Sequence, residues 1–283
     1  MIEHNRRFAF VHHGILIVSI AIISFPIYVV IVASTLTLPD VLDAPMTLLP
    51  GRHFVANYIT ALTEGAILGG GGTPVWRLLL NSLIMAMGIA VGKIAISIIS
   101  AYAIVFFRFP FRMFFFWLIF VTLMLPIEVR ILPTFQIAAT LGLLNSYTGL
   151  IVPVIASATA TFFFRQFFLT IPNELVEAAR VDGAGPIRFF VDIVLPLSKT
   201  NIAALFVILF IFGWNQFLWP LLITTDPDFD TIIIAINRML RVVDDQVDWP
   251  VMMATTIMAM AVPAAVVVLM QRWFVRGLIE HEK

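Results

Sequence analysis

The apolar runs in this chain have the length of a bilayer crossing, and nothing else in the sequence constrains the fold as tightly. They occupy residues 14–34, 78–107, 113–133, 147–169, 202–225 and 251–270. A hydrocarbon core of ~30 Å takes about 20 residues of helix to cross. Composition agrees: 61% of the 283 residues are hydrophobic and 12% are charged, and the mean hydropathy is +1.02, unlike an ordinary soluble domain. The expected fold is an all-α integral membrane protein, one domain over residues 1–283 with six transmembrane helices. The first run is read as a retained span and not a signal peptide, because it is long enough to cross, contains Pro26 and lacks a convincing small-residue cleavage site. The run 78–107 is longer than a bilayer requires, which predicts tilt or protruding ends. Within it, Gly88-x-x-x-Gly92 leaves a bare strip of backbone for another helix to approach.

Several function classes are excluded. With 17 basic against 17 acidic residues the net charge is zero, and a nucleic-acid partner would need a basic face. There is no cysteine, and the five histidines include no His-x-x-x-His pair, so no metal centre is expected. Gly88 to Lys93 has the wrong spacing for a phosphate-binding loop and is followed by Ile94 instead of Ser or Thr. No Ser/His/Asp grouping and no carboxylate pair suggests a catalytic site, so the chain is not expected to be an enzyme. Residues 37–74, with Pro39, Pro45 and Pro50, read as a polar loop, and Gly69 to Gly72 within it as a flexible linker.

Charge also sets an orientation. With a cytoplasmic N-terminus, the inside segments carry Arg6, Arg7, Arg108, Arg112, Arg165, Arg180, Arg188, Lys199, Arg272, Arg276 and Lys283. The outside segments carry only Arg52, Arg77, Arg238 and Arg241. The positive-inside bias therefore predicts that both termini are cytoplasmic. The acidic loop 226–250, with Asp226, Asp228, Asp230, Asp244, Asp245 and Asp248, falls outside.

Between the fourth and fifth runs lies the one long polar insert, residues 173–196. It reads as two short helices with a bend: Pro172 in a first turn, Glu174 and Glu177 at the positive end of the helix dipole, and Gly183 as the stop. Pro186 restarts a helix and Pro196 closes it. Glu177-Ala178-Ala179, three residues, Gly183, nine residues and Ile193-x-Leu195-Pro196 together match the complete EAA signature. In this the chain resembles the permeases of bacterial ABC importers. The resemblance implies a cytoplasmic coupling-helix pair that docks into a groove of a separate ATPase subunit, through Glu174, Glu177, Ala178, Ala179, Arg180, Gly183, Ile193, Leu195 and Pro196. Two alanines keep that surface slim, and the charges lie at its rim.

The segments PMTLLPG, FRFPFRMFFFWLIFVTLMLPIEVRILPT, SATATFFFRQFFLTIPNELVEAARVDGA and PLSKTNIAALFVILFIFGWNQFLWPLL are similar to the MalG-like permeases of glycerol-3-phosphate importers. That resemblance implies a type I importer architecture in the bacterial inner membrane. It further implies a heterodimer with a second permease, two ATPase subunits that hold ATP and Mg, and a periplasmic solute-binding protein. The expected cargo is glycerol-3-phosphate and glycerophosphodiesters. Related permeases carry maltose or other sugars, and a secondary transporter driven by an ion gradient is the reading from another class, although no repeat with matched broken helices is visible.

Ionisable groups inside a bilayer cost roughly 2.5–3.5 kcal/mol each on insertion scales and so invite a functional reading. Lys93 lies near the middle of its run, and Glu128 and Arg130 in the outer part of the third. A Lys93–Glu128 pair is reachable across an axial offset of ~9 Å. These residues either shape a translocation pathway or serve as a structural ion pair with Arg130 snorkelling outward. Asn215 and Gln216 either line the pathway or hydrogen-bond between helices. Trp219 reads as an interfacial aromatic, and Pro220 as a loosening of the helix near its outer end.

Overall fold

The computed structural model describes residues 6–65, 72–122, 125–240 and 247–279, with the side chains of 6–11, 127–128 and 272–279 left out. In chain order the helices are α1 (Arg6–Ala33), α2 (Leu38–Leu42), α3 (Phe54–Thr63), α4 (Val75–Phe106), α5 (Arg112–Val121), α6 (Ile127–Thr140), α7 (Tyr147–Ile151) and α8 (Ala158–Phe168). There follow α9 (Asn173–Val181), α10 (Pro186–Phe189), α11 (Leu195–Leu197), α12 (Lys199–Trp214), α13 (Leu218–Ile223), α14 (Ile232–Met239) and α15 (Trp249–Ile279).

Three helical stretches are long and apolar enough to cross a membrane alone: His12–Ala33, Val75–Phe106 and Trp249–Gln271. Two further pairs qualify only together. Tyr147–Val154 and Ala158–Phe168 meet at 51°, and Pro186–Leu197 and Lys199–Trp214 meet at 70°. The run 113–133 is not one helix. It is split between α5 and α6, with Pro126 extended at the start of α6 (φ −55°, ψ 143°) because proline has no N–H to continue the preceding ladder. Pro133 lies inside α6, which continues to Thr140 through what reads in sequence as the start of a loop.

Two other sequence-based loops contain helices. Within 37–74, Thr37 caps α2 in a reciprocal box with Asp40, and α3 follows. Within 226–250 lies α14, whose Ile232 and Ile234 are buried. Gly69 to Gly71, Arg241, Asp244 and Asp245 fall outside the described residues.

The described residues of Met1–Arg77 and Ile236–Met260 form one compact unit, and those of Leu78–Ala235 and Ala261–Lys283 a second. In the first, the segment after α1 is tied by polar contacts. The Asn57 side chain donates to the Ser34 and Leu36 carbonyls at 2.9 Å each, and the Gly51 N–H donates to Thr35 Oγ1 at 2.7 Å. These bonds pin the non-helical segment just past α1, whose own last carbonyls at Val30, Val32 and Ala33 accept from the N–H groups of Ser34, Thr35 and Leu36.

In the second unit α4 is the spine. A Cβ added at Gly88 would stand 2.5 Å from Ile151 Cδ1, and one at Gly92 would stand 2.7 Å from Ile155 Cγ2. The glycine strip is thus filled by the 151–155 segment, as expected of a packing motif. Gly213 of α12 gives a second close approach, its notional Cβ falling 3.0 Å from the Ala86 Cα. Met85, Ile89, Ala138, Leu150, Trp219 and Ile223 form the buried cluster around this seam.

Candidate functional site

A cavity of about 380 Å³ opens in the second unit, lined by Lys93, Arg130, Ile131, Thr134, Val154, Phe212, Asn215, Gln216 and Trp219 among others. Four of the five pathway residues singled out from sequence therefore meet in one place. The fifth, Glu128, has a side chain outside the described residues, and so does the proposed Lys93–Glu128 pair.

Each polar group reaches the cavity for a local reason. Lys93 stands eighteen residues into α4, ~27 Å along its axis and close to its middle. It is 7% exposed, with its Nζ 4.0 Å from the centroid of the Phe212 ring. Neither Lys93 nor Arg130 has a carboxylate within ion-pair distance among the described residues. The ring face offers ~0.5–2 kcal/mol of attraction to the ammonium, which is below the ~2.5–3.5 kcal/mol cost of placing a lysine at mid-bilayer depth.

Asn215 and Gln216 occur where the polypeptide leaves helix: α12 ends at Trp214 and α13 begins at Leu218. The Gln216 side chain donates back to the Phe212 carbonyl at 3.3 Å, while the Asn215 amide makes no side-chain hydrogen bond among the described residues. The break precedes Pro220, which sits in the first turn of α13 where its missing N–H breaks no helical bond. Trp219 departs from its expected interfacial position. It is 2% exposed, and its indole N–H donates to the Gly149 carbonyl at 3.1 Å.

The polar insert forms a second local structure. Helix α9 begins at Asn173, with Pro172 extended just before it rather than inside the first turn. It ends in a Schellman arrangement: the Ala184 N–H donates to the Ala179 carbonyl at 2.8 Å and the Gly183 N–H to the Arg180 carbonyl at 3.1 Å. Gly183 has φ +72°, the left-handed backbone that such an ending requires. Pro186 opens α10 as expected, but Pro196 does not close the second helix. A π-helical turn over Phe190–Val194 leads directly into α11, and the chain bends at Ser198, whose Oγ donates to the Val194 carbonyl at 2.6 Å.

Ala179 is buried, whereas Glu174, Glu177, Ala178, Arg180 and Gly183 are exposed, and Ile193 and Leu195 are half-buried. Val181 and Ile187, on either side of the bend, are 87% and 81% exposed. The segment is anchored to the end of α4 by groups that the sequence reading passed over. The Tyr102 hydroxyl donates to the Pro186 carbonyl at 2.7 Å, and Phe106 meets Phe189 edge-on at 5.3 Å. Tyr102 and Phe106 are four residues apart on one helix face, so this pairing had a visible signal, but its partner was not readable. Phe212 was missed for the same reason.

Residues 93–280 match the model of the binding-protein-dependent transport system inner membrane component. The chain is 58% identical to the sn-glycerol-3-phosphate transport system permease protein UgpE of Agrobacterium fabrum, over 100% of both chains. It is 59% identical to the UgpE of Brucella melitensis and 54% identical to that of Escherichia coli O1:K1, again over 100% of each. Among solved structures, a chain of a bacterial ABC transporter involved in the import of the acidic polysaccharide alginate superposes with a TM-score of 0.81. It is 20% identical in sequence, and the match covers 97% of this chain and 99% of that one.

Proposed function

The chain belongs to the family of binding-protein-dependent transport system inner membrane components, and from that membership we propose that it is a permease subunit of an ATP-driven importer for sn-glycerol-3-phosphate and glycerophosphodiesters. The observation that carries the substrate is full-length identity of 54–59% to permeases named for glycerol-3-phosphate transport. The fold, that of a type I ABC importer permease, suits the assignment. In the proposed assembly the chain crosses the inner membrane six times with both termini cytoplasmic. It pairs with a second permease, two ATPase subunits carrying ATP and Mg, and a periplasmic solute-binding protein. The chain binds no cofactor of its own.

Residues 173–196 are assigned to the ATPase contact. Glu177, Ala178, Ala179, Gly183, Ile193, Leu195 and Pro196 carry the signature, Glu174 and Arg180 place charge at its rim, and the exposed Val181 and Ile187 add apolar surface at the tip of the bend. Closure of the ATPase dimer moves this segment and shifts the spans from inward-facing to outward-facing; the ligand-dependent bias on that equilibrium requires a difference in contacts between the two states.

The test is reconstitution of the full complex in sealed vesicles. ATP-dependent uptake of glycerol-3-phosphate supplied through the binding protein, with no ion gradient, is the expected result. Uptake that needs an ion gradient and ignores ATP, or transport of maltose in place of the phosphate ester, overturns the proposal.

A further inference from the structure

The cavity around Lys93 allows a statement about which subunit touches the cargo and by which chemistry. Building on the importer reading above, we propose that this chain itself binds the phosphate group of the substrate during passage. Lys93 and Arg130 are the anion anchors, and Asn215 faces the glycerol hydroxyls.

Three observations lead there. Lys93 is 7% exposed, lines the cavity and has no carboxylate partner among the described residues, which supply no compensating charge to this buried cation. Arg130 lines the same cavity, likewise with no acidic partner among the described residues, and puts a second positive charge on its wall. Two like charges facing one space disfavour each other, and an anion between them relieves both at once. The geometry therefore selects for negative charge and rejects cations. Ile131, Val154 and Phe212 make apolar wall, and such walls hold water off and strengthen the charge contacts.

Recognition of the uncharged end follows from the helix break. Asn215 stands where α12 has ended, its amide makes no side-chain hydrogen bond among the described residues, and it offers both donor and acceptor to a diol. Gln216 is partly occupied by the Phe212 carbonyl at 3.3 Å, and Thr134 donates to the Arg130 carbonyl at 2.8 Å. Those two side chains are therefore better placed to accept than to donate.

This assignment separates two cargoes by charge. A phosphomonoester has a second pKa near ~6 and carries close to two negative charges at neutral pH, whereas the phosphate of a diester carries one. The experiment compares uptake of glycerol-3-phosphate with uptake of glycerophosphocholine by the complete reconstituted complex at saturating binding protein. It uses wild type, Lys93→Met, Lys93→Arg and Arg130→Gln, each normalised to assembled complex. The expected result for Lys93→Met is a fall of about tenfold in monoester uptake, the size of one lost charge-assisted contact, and a smaller fall in diester uptake, so that the monoester-to-diester ratio drops, with recovery in Lys93→Arg. Arg130→Gln shifts the ratio in the same direction.

A purely structural lysine lowers both uptakes together and leaves the ratio unchanged, which overturns the inference. A phospholipid headgroup presents the same phosphate chemistry. If the ratio is unchanged while the response to anionic lipid in the vesicles is lost in Lys93→Met, the cations hold lipid and the inference is overturned as well. A wild-type complex that carries neither ester fails at the earlier step and removes the importer assignment itself.

Discussion

At Gly183 the cost of a side chain can be worked from the backbone alone. The residue has φ +72°, and no atom stands within 4 Å of where a Cβ would be placed. An L-residue there pays for conformation and not for crowding, roughly 1–2 kcal/mol for alanine, with asparagine tolerated better and β-branched residues worse. A penalty of that size lowers the population of the bent segment about 5- to 30-fold. The bend also holds the two Schellman bonds to the Ala179 and Arg180 carbonyls, so relaxation to a right-handed backbone would give these up.

The assay is binding-protein-stimulated ATP hydrolysis by the assembled complex in lipid nanodiscs, beside the amount of chain inserted in the membrane. Insertion is expected to be equal across the series, because Gly183 lies outside the apolar spans. Stimulated hydrolysis is expected to fall in the order Gly, Asn, Ala, Val. Crowding against a partner would rank the variants by size, with Ala milder than Asn. That order, or a Val variant equal to wild type, refutes the conformational argument.

Two further outcomes follow from local geometry. Gly88→Ala would bring its Cβ to 2.5 Å from Ile151 Cδ1, an overpacking cost of about 1–3 kcal/mol; Ile151→Ala in the same chain should recover thermal stability in detergent, and additive losses would show that the two positions do not touch. The Asp40 carboxyl titrates below its ordinary value of 3.8, chiefly because the Thr37 hydroxyl donates to it at 2.6 Å and the Thr37 N–H adds a bond at 3.3 Å. Its capping is therefore complete above that ordinary value and is lost as pH falls through the lower folded one. Thr37→Val should return the Asp40 titration toward 3.8 by carboxyl NMR, and an unchanged titration would show that these bonds are not its cause.

Much of the candidate site was legible because it is written in residue chemistry. Lys93, Arg130, Asn215 and Gln216 stood out as polar groups in apolar runs, and all four line one cavity. Gly183 was readable because few residues besides glycine take its backbone conformation. Gly88 and Gly92 were readable because a missing side chain implies a neighbour that fills the space.

Bends were legible only in part. Hydropathy counts apolar residues and does not distinguish a straight span from a broken one, so 113–133 read as one helix although α5 and α6 divide it. Pro126 carried that information, whereas Pro220 pointed to a break that lies three to five residues earlier, at Asn215–Phe217. Trp219 shows the reverse limit. An aromatic near a span end reads as interfacial, yet a buried carbonyl at Gly149 claims its N–H. Partners across the fold, such as Phe212 beneath Lys93 or Tyr102 on Pro186, depend on tertiary proximity that no spacing reveals.

The continuity of α12 has a mechanical consequence. It is 16 residues long, ~24 Å, and follows the signature segment with only the bend at Ser198 between them. A hydrogen-bonded helix is stiff along its axis, so it acts as a connecting rod. Lys199 and Phe212 are joined by unbroken helix, and Asn215 lies just past its end. Phe212 is the ring on which the Lys93 ammonium rests at 4.0 Å. Displacement of the rod by a single helical rise, ~1.5 Å, shifts that ring across the cation without ending the contact, since the attraction extends to about 6 Å from the ring centroid. The seat under Lys93 is thus carried by the helix that adjoins the signature segment, while Lys93 itself is carried by α4.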